Sequence, residues 1–253
     1  PRRRTRFHAL VPDSGFLRKM RRMSETQAMF QLLRQSADAG AADAIERLVG
    51  EGADRDLCRI NVLAFSRRHE LDEERAVAAF LHAAKIGIFD LSWNVLCPGC
   101  GGVLDANSSL KSVHSEAYAC SLCSRDYEPT LDAMVEVTFT VSARLRRIAA
   151  HSPEHMPPVE YFRQLYFSSE LELPENFAEV WEAITLESLD LPAGEKAIIS
   201  LQLPAAFIIV FDPVTHTAQF LDVKGEPSRE RQSFSLIFDT EHAQQATVEM
   251  RPG

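Results

Sequence analysis

The chain has 253 residues, 45% hydrophobic and 25% charged, with a formal net charge of −9. That supplies one large core or two or three small ones, at the charged fraction of an ordinary globular protein. Its longest apolar run, Ala197 to Phe211, is broken by Gln202 and Pro204, so a helical membrane span of about 20 apolar residues is excluded.

Charge is unevenly placed. Eight of the 27 Lys and Arg lie in residues 1–22 (Arg2, Arg3, Arg4, Arg6, Arg18, Lys19, Arg21, Arg22) against one of the 36 acids, Asp13. That leaves 19 basic against 35 acidic residues in the remainder, and an acidic body argues against a broad nucleic-acid face. The basic run interleaves Phe7, Leu10, Phe16 and Leu17. It reads as a phosphate-binding arm or, more simply, as a solvated segment that meets an acidic neighbour. Position 1 is Pro and the sequence stops at Pro252-Gly253, as expected for a segment of something longer.

Ser24-Glu25-Thr26-Gln27 has capping-box spacing and is expected to start a helix carrying Met29, Phe30, Leu32 and Leu33, with Gly40 as an interruption. Ile45, Leu48 and Val49 continue an apolar face until Gly50 and Gly52. Leu57 to Phe65 then reads as helical, with Arg67-Arg68-His69 as a basic end beside the C-terminal dipole. Asp72-Glu73-Glu74 opens a second helix whose expected buried stripe is Val77, Phe80, Leu81 and Ala84. Gly87 closes it and Ile88-Phe89-Asp90-Leu91 leads as a strand into Trp93. Helix, turn, helix, strand is the outline of a winged helix-turn-helix. The expected outer face of that second helix (Glu73, Glu74, Arg75, His82, Lys85) is too acidic for reading a DNA groove, which favours a protein-docking use.

The most specific signal follows. Cys97-Pro98-Gly99-Cys100 and Cys120-Ser121-Leu122-Cys123 are two C-x-x-C pairs at the spacing of a four-thiolate zinc site. Two residues between cysteines make a tight turn that aims both sulfurs at one point. Two such turns complete a tetrahedron with sulfurs about 2.3 Å from the metal. All four ligand positions are filled by protein, so Cys97, Cys100, Cys120 and Cys123 are expected to hold a structural Zn2+ with no catalytic opening. Two disulfides, a redox pair or buried thiols are the plainer alternatives. The run of glycines after Pro98 does not suit a thioredoxin-like helix start. The fifth cysteine, Cys58, sits in an apolar pattern and reads as a core thiol. An odd cysteine count with metal spacing suits a reducing cytoplasm, and no signal peptide is evident.

Beyond the second pair, Tyr127 and Pro129 are expected to pack on the ribbon, and Val135 to Phe139 alternates as a strand. Ser152 to Pro158 is the best linker candidate. Tyr161, Phe162, Leu165, Tyr166 and Phe167 form an aromatic cluster, and Phe177, Val180, Trp181 and Ile184 repeat at helical spacing. From Thr185 the period becomes two. Strands are expected around Ile199 to Leu203, Phe207 to Phe211, Gln219 to Val223, Phe234 to Phe238 and Thr247 to Met250, with a turn at Asp212 to His216. Short strands at this spacing indicate an antiparallel sandwich or barrel, here incomplete. Among the histidines, His82, His114, His151, His155 and His216 are scattered, and no acid/base or nucleophile set emerges.

The expected architecture is therefore α+β: an N-terminal winged-helix-like helical unit, an inserted four-Cys zinc ribbon and a C-terminal antiparallel β-sandwich-like domain. Its expected segments are 1–54, a basic segment and helix; 55–96, the helical unit; 97–130, the ribbon; 131–160, strand and linker; and 161–253, helix plus sandwich.

The run Asp90-Leu91-Ser92-Trp93, Leu96-Cys97-Pro98-Gly99-Cys100, Cys120-x-x-Cys123 and Val135-Glu136-Val137-Thr138-Phe139 resembles a particular region. This is the uncharacterised N-terminal region found ahead of the catalytic domain in a group of bacterial class III adenylate/guanylate cyclases. The likeness continues through Phe211 to His216 and Phe220 to Glu226, and so covers most of residues 55–253. It implies attachment to a cyclase domain rather than catalysis. Asp222-Val223-Lys224-Gly225 only faintly echoes a cyclase metal-binding strand end, and Pro227 blocks the helix that should follow. The reading is a non-catalytic regulatory or scaffolding region in cyclic nucleotide signalling, partnered by a cyclase domain or another protein, with a homodimer as one assembly. The alternative is a winged-helix plus zinc-ribbon module that binds nucleic acid or protein.

Overall fold

A computed structural model describes residues 14–112, 117–120, 122–123, 125–128, 134–191, 196–201, 206–212, 217–223, 232–237 and 244–252. The chain is a mixed α+β structure with antiparallel sheets. The first helix, α1, spans Ser14–Ser36. The expected start at Ser24 is corrected. Phe16 to Met23 contains neither Gly nor Pro, so the helix extends through it and the capping-box spacing falls inside. The break comes later, where the Asp38 side chain accepts the Ala41 N–H at 3.0 Å and opens α2 (Ala39–Glu51). Gly40 therefore lies in the first turn of α2 rather than interrupting a helix.

Residues Asp54–Leu57 form a single 3-10 turn, and α3 (Val62–Arg68) is capped by Asn61, which accepts from Ala64 N at 3.0 Å. Asp72 caps α4 (Glu73–Lys85) by accepting from Arg75 N at 3.0 Å, with Glu73 and Glu74 in the first turn, as read from the sequence. The expected buried stripe of α4 is corrected in part. Ala76, Ala79, Phe80 and Ala83 face the core, while Leu81 is 48% exposed and Val77 is half-buried. Three alanines on one side allow close helix approach, and that packing selects their face over the larger apolar residues.

Strand β1 (Phe89–Leu96) is central to a three-stranded sheet. One neighbour is β2 (Val103–Asn107) and the other is β5 (Val135–Val141), which pairs from Phe89↔Val141 to Val95↔Val135. The chain between these paired strands forms the cysteine ribbon, with the short hairpin of β3 (Tyr118–Cys120) and β4 (Arg125–Tyr127). Ile60 also bridges β5, its N–H donating to Phe139 O at 2.7 Å. The first core gathers Leu33, Ile45, Leu57, Phe80, Phe89 and Phe139, with Phe80 stacked 5.1 Å from Phe89. It draws on the expected segments 1–54, 55–96 and 131–160 alike.

A second core joins Cys97, Cys120 and Leu122 of the ribbon to residues that follow two 3-10 turns, Ala149–His151 and Pro153–His155. Met156, within the expected linker, is buried in it, so this stretch is packed rather than a free connector. Helix α5 (Pro158–Tyr161) runs into a π-helical turn, Phe162–Tyr166, and α6 spans Phe177–Ile184. Phe162 lies 3.9 Å from Trp181 and 4.7 Å from Tyr166 between ring centroids. The expected aromatic cluster is this core.

Six strands follow: β6 (Thr185–Leu191), β7 (Lys196–Leu201), β8 (Ala206–Asp212), β9 (Thr217–Val223), β10 (Gln232–Ile237) and β11 (Gln244–Pro252). They form an antiparallel four-stranded sheet, β6-β11-β8-β9, and a β10-β7 pair. Asp212 pairs with Thr217, as the expected hairpin requires; its turn, 213–216, lies outside the described residues. No helix among the described residues is long and apolar enough to cross a membrane.

Candidate metal centre and its anchorage

Strand β1 delivers Cys97 directly into the first turn. Cys97 N donates to Gly102 O at 2.7 Å and Gly101 N to Cys97 O at 2.8 Å, closing the loop. Gly101 has φ +71, a left-handed conformation that costs glycine nothing. Strand β3 ends in Cys120 and the second turn carries Cys123. The four sulfurs all lie within 4.8 Å of one another, with Cys97–Cys123 at 3.7 Å and Cys100–Cys120 at 3.6 Å. A tetrahedron with metal–sulfur bonds of about 2.3 Å has edges of about 3.8 Å. The four residues are thus close enough to bind a metal ion, and all five cysteines of the chain are free thiols.

The backbone is already turned toward the sulfurs: Gly99 N donates to Cys97 Sγ at 3.3 Å and Cys123 N to Cys120 Sγ at 3.4 Å. Burial pushes the Cys97 thiol up, but the backbone N–H of Cys100, the Cys120 thiol, the backbone N–H of Gly99 and the Cys100 thiol together outweigh it and bring it to about 7. Burial drives Cys120 up to about 11 and Cys100 further upward. Without a cation the cluster resists holding four thiolates; a bound dication relieves that repulsion. The Tyr127 hydroxyl lies beside the Cys97 and Cys123 sulfurs around Gly99, and those thiols push it up to about 12. A Cβ on Gly99 would sit 2.7 Å from that hydroxyl, so glycine is what admits the tyrosine.

The ribbon is tied to both cores. Gly102 presses on the second: a Cβ there would lie 2.8 Å from the Tyr166 ring, and Ser168 N donates to Gly101 O at 2.7 Å. The same stretch reaches the first core through Glu136 of β5. Its carboxylate accepts Ser168 Oγ at 2.8 Å, Ser169 N at 2.8 Å and Ser169 Oγ at 2.7 Å. Arg59 Nη2 meets it at 2.5 Å, and Arg59 Nη1 donates to Leu165 O and Phe167 O at 2.9 and 2.6 Å. Both side chains of this ion pair are only 8% exposed. Burial raises the Glu136 carboxyl, but Arg59 and the two serines overcome it and hold it below the usual range. Arg59 adopts φ 47, an uncommon conformation for a non-glycine residue.

With the ribbon and its anchorage in place, one comparison is decisive. DUF5939, a family of unknown function, matches residues 23–253. The chain belongs to DUF5939. No curated protein and no solved structure matches it. The DUF5939 span takes in the four cysteines, Arg59, Glu136 and the aromatic core, and leaves the basic run to its N-terminal side.

The remaining expected residues of this DUF5939 chain fall as follows. Cys58 is a buried core thiol raised to about 11 by burial, its Sγ 3.6 Å from Gln164 O. His151 serves a turn, its Nδ1 accepting from Ile148 N at 3.0 Å and its Nε2 2.8 Å from Val141 O. His82 lies on α4 and His155 ends a 3-10 turn. Pro129, His114 and His216 lie outside the described residues. Sequence reasoning missed Arg59 and Glu136. The one available signal was a glutamate between Val135 and Val137, on a strand otherwise rich in apolar residues.

Proposed function

We propose that this DUF5939 region is a non-catalytic scaffolding or regulatory module built on a structural zinc. Four thiolates with backbone N–H donors and no open position suit Zn2+ held by Cys97, Cys100, Cys120 and Cys123. Bound there, the ion supplies a rigid cross-link. The observation that carries the reading is the anchorage: one short stretch, 166–169, touches the ribbon at Gly101 and Gly102 and the buried pair at Glu136. Order at the cysteines is thereby linked to both cores.

Helices α2, α3 and α4, the Ile60–Phe139 bridge and the β1–β5 pair support a winged-helix-like unit whose hairpin carries the ribbon. The C-terminal strands support a sandwich-like domain. Attachment to a class III cyclase, a cytoplasmic site of action and homodimerisation form the rest of the proposal, resting on the sequence resemblance and the cysteine usage. The test is to read the coding frame past Gly253 and compare cyclase rates of the longer protein with and without Cys97→Ser. A cyclase domain whose rate changes on loss of the metal supports the reading. A stop codon, or unchanged rate and melting, overturns it. Nucleic-acid binding predicts salt-steep retention of duplex DNA; the exposed Glu73 and Glu74 of α4 disfavour it.

A further inference from the structure

A pocket of about 240 Å³ opens where α2, the Asp54–Leu57 turn, α3 and the π-helical turn Phe162–Tyr166 meet. Its lining holds four arginines, Arg55, Arg59, Arg68 and Arg163, against a single acid, Asp56. Cys58, Arg59 and Ile60 are buried and form its floor, while Arg55 and Arg68 are exposed and stand at its mouth.

Two of the four cations are already paired. Arg59 meets Glu136, and Arg163 Nη1 donates to Glu160 Oε1 at 2.7 Å. Arg55 and Arg68 form no salt bridge among the described residues. Asp56 accepts from Ala53 N at 3.2 Å, within its own turn. The pocket is therefore positive on balance, in a chain whose net charge is −9. Two buried polar atoms of the lining, Arg59 Nε and Gln164 Oε1, have no hydrogen-bond partner, a cost that a polar ligand removes.

These features select the ligand. Guanidinium groups match carboxylate and phosphate oxygens. Donors arriving from three separate elements suit the three oxygens of a terminal phosphate better than the two coplanar oxygens of a carboxylate. A phosphomonoester also brings a charge of about −1.5 to −2 at pH 7. A phosphodiester backbone has no terminal phosphate to lower onto a buried floor. The volume lies below the range of drug-sized clefts, about 300–1,000 Å³, so the ligand is small.

We propose that this pocket binds a small soluble phosphomonoester with a hydroxyl-bearing body. Arg55, Arg68 and Arg163 hold the phosphate, Arg59 supplies positive charge from beneath, and Gln164 accepts from a body hydroxyl. The site stands independently of the zinc and cyclase readings.

The test is isothermal titration calorimetry of the purified full chain with glycerol 3-phosphate, in about 100 mM NaCl to screen loose surface association. The expected result is one site per chain with Kd below about 1 mM. Inorganic phosphate competes for it and glycerol does not. Arg55→Ala and Arg68→Ala, both at exposed positions, each weaken binding about tenfold or more. Ala64→Glu, which adds a carboxylate at an exposed position of the lining, abolishes it. All three leave the melting temperature of the free chain unchanged. No saturable binding up to about 10 mM, several equal sites per chain, or binding that the variants leave intact overturns the proposal. Retention on phosphatidic acid vesicles without binding of the soluble ester overturns it as well, by assigning the arginines to a lipid surface.

Discussion

Glu136→Gln isolates the pair that links the two cores. The glutamine keeps the shape of the side chain but removes the charge that balances Arg59, at a site where both side chains are 8% exposed. Removing one partner of a buried pair leaves the other uncompensated, at a cost of about 3–5 kcal/mol. The amide oxygen can still accept from Ser168 and Ser169, but the amide nitrogen then faces the Arg59 and Asn94 donors that met the other carboxylate oxygen, so the whole range applies. The assay is urea denaturation of the metal-loaded chain, followed by far-UV circular dichroism. The double variant Arg59→Met/Glu136→Leu should lose less than Glu136→Gln alone, since no unpaired charge remains. The pH dependence has a defined sign. A carboxyl held below its usual value contributes stability that is complete above the unfolded pKa, about 4.3, and is lost as pH falls through the folded value. The gap between wild type and Glu136→Gln should therefore be widest above about pH 5 and close below about pH 4. Acid release of a metal is common to both proteins and cancels in the difference. A Glu136→Gln chain within about 1 kcal/mol of wild type at pH 7 would refute the reasoning.

Gly102→Ala places a methyl 2.8 Å from the Tyr166 ring; overpacking against a buried ring should cost about 1–3 kcal/mol by the same denaturation. Tyr127→Phe removes a hydroxyl that lies beside the Cys97 and Cys123 sulfurs. It should weaken metal retention against a chelator about tenfold or more, with folding in excess zinc preserved.

Local chemistry was legible in the sequence. Asp72 and the acids after it marked the start of α4, the C-x-x-C pairs marked the ribbon, and the alternation of Val135 to Phe139 marked β5. What could not be read depended on distant partners. Arg59 and Glu136 meet across 77 positions, and neither has a local pattern that demands the other. The phase of α4 was ambiguous because Val77 and Leu81 offer an apolar face as good as the alanine face. Only close packing of alanines selected between them. The start of α1 was misplaced because a capping box shows where a helix could begin, not that the preceding residues are unable to continue it.

The central claim concerns four sulfurs and one ion, and X-ray absorption at the zinc K-edge of the purified chain tests it directly. The account predicts one zinc per chain with four sulfur neighbours at about 2.3 Å. Nitrogen or oxygen in the shell, or a chain that folds with these cysteines oxidised and no metal, would contradict it.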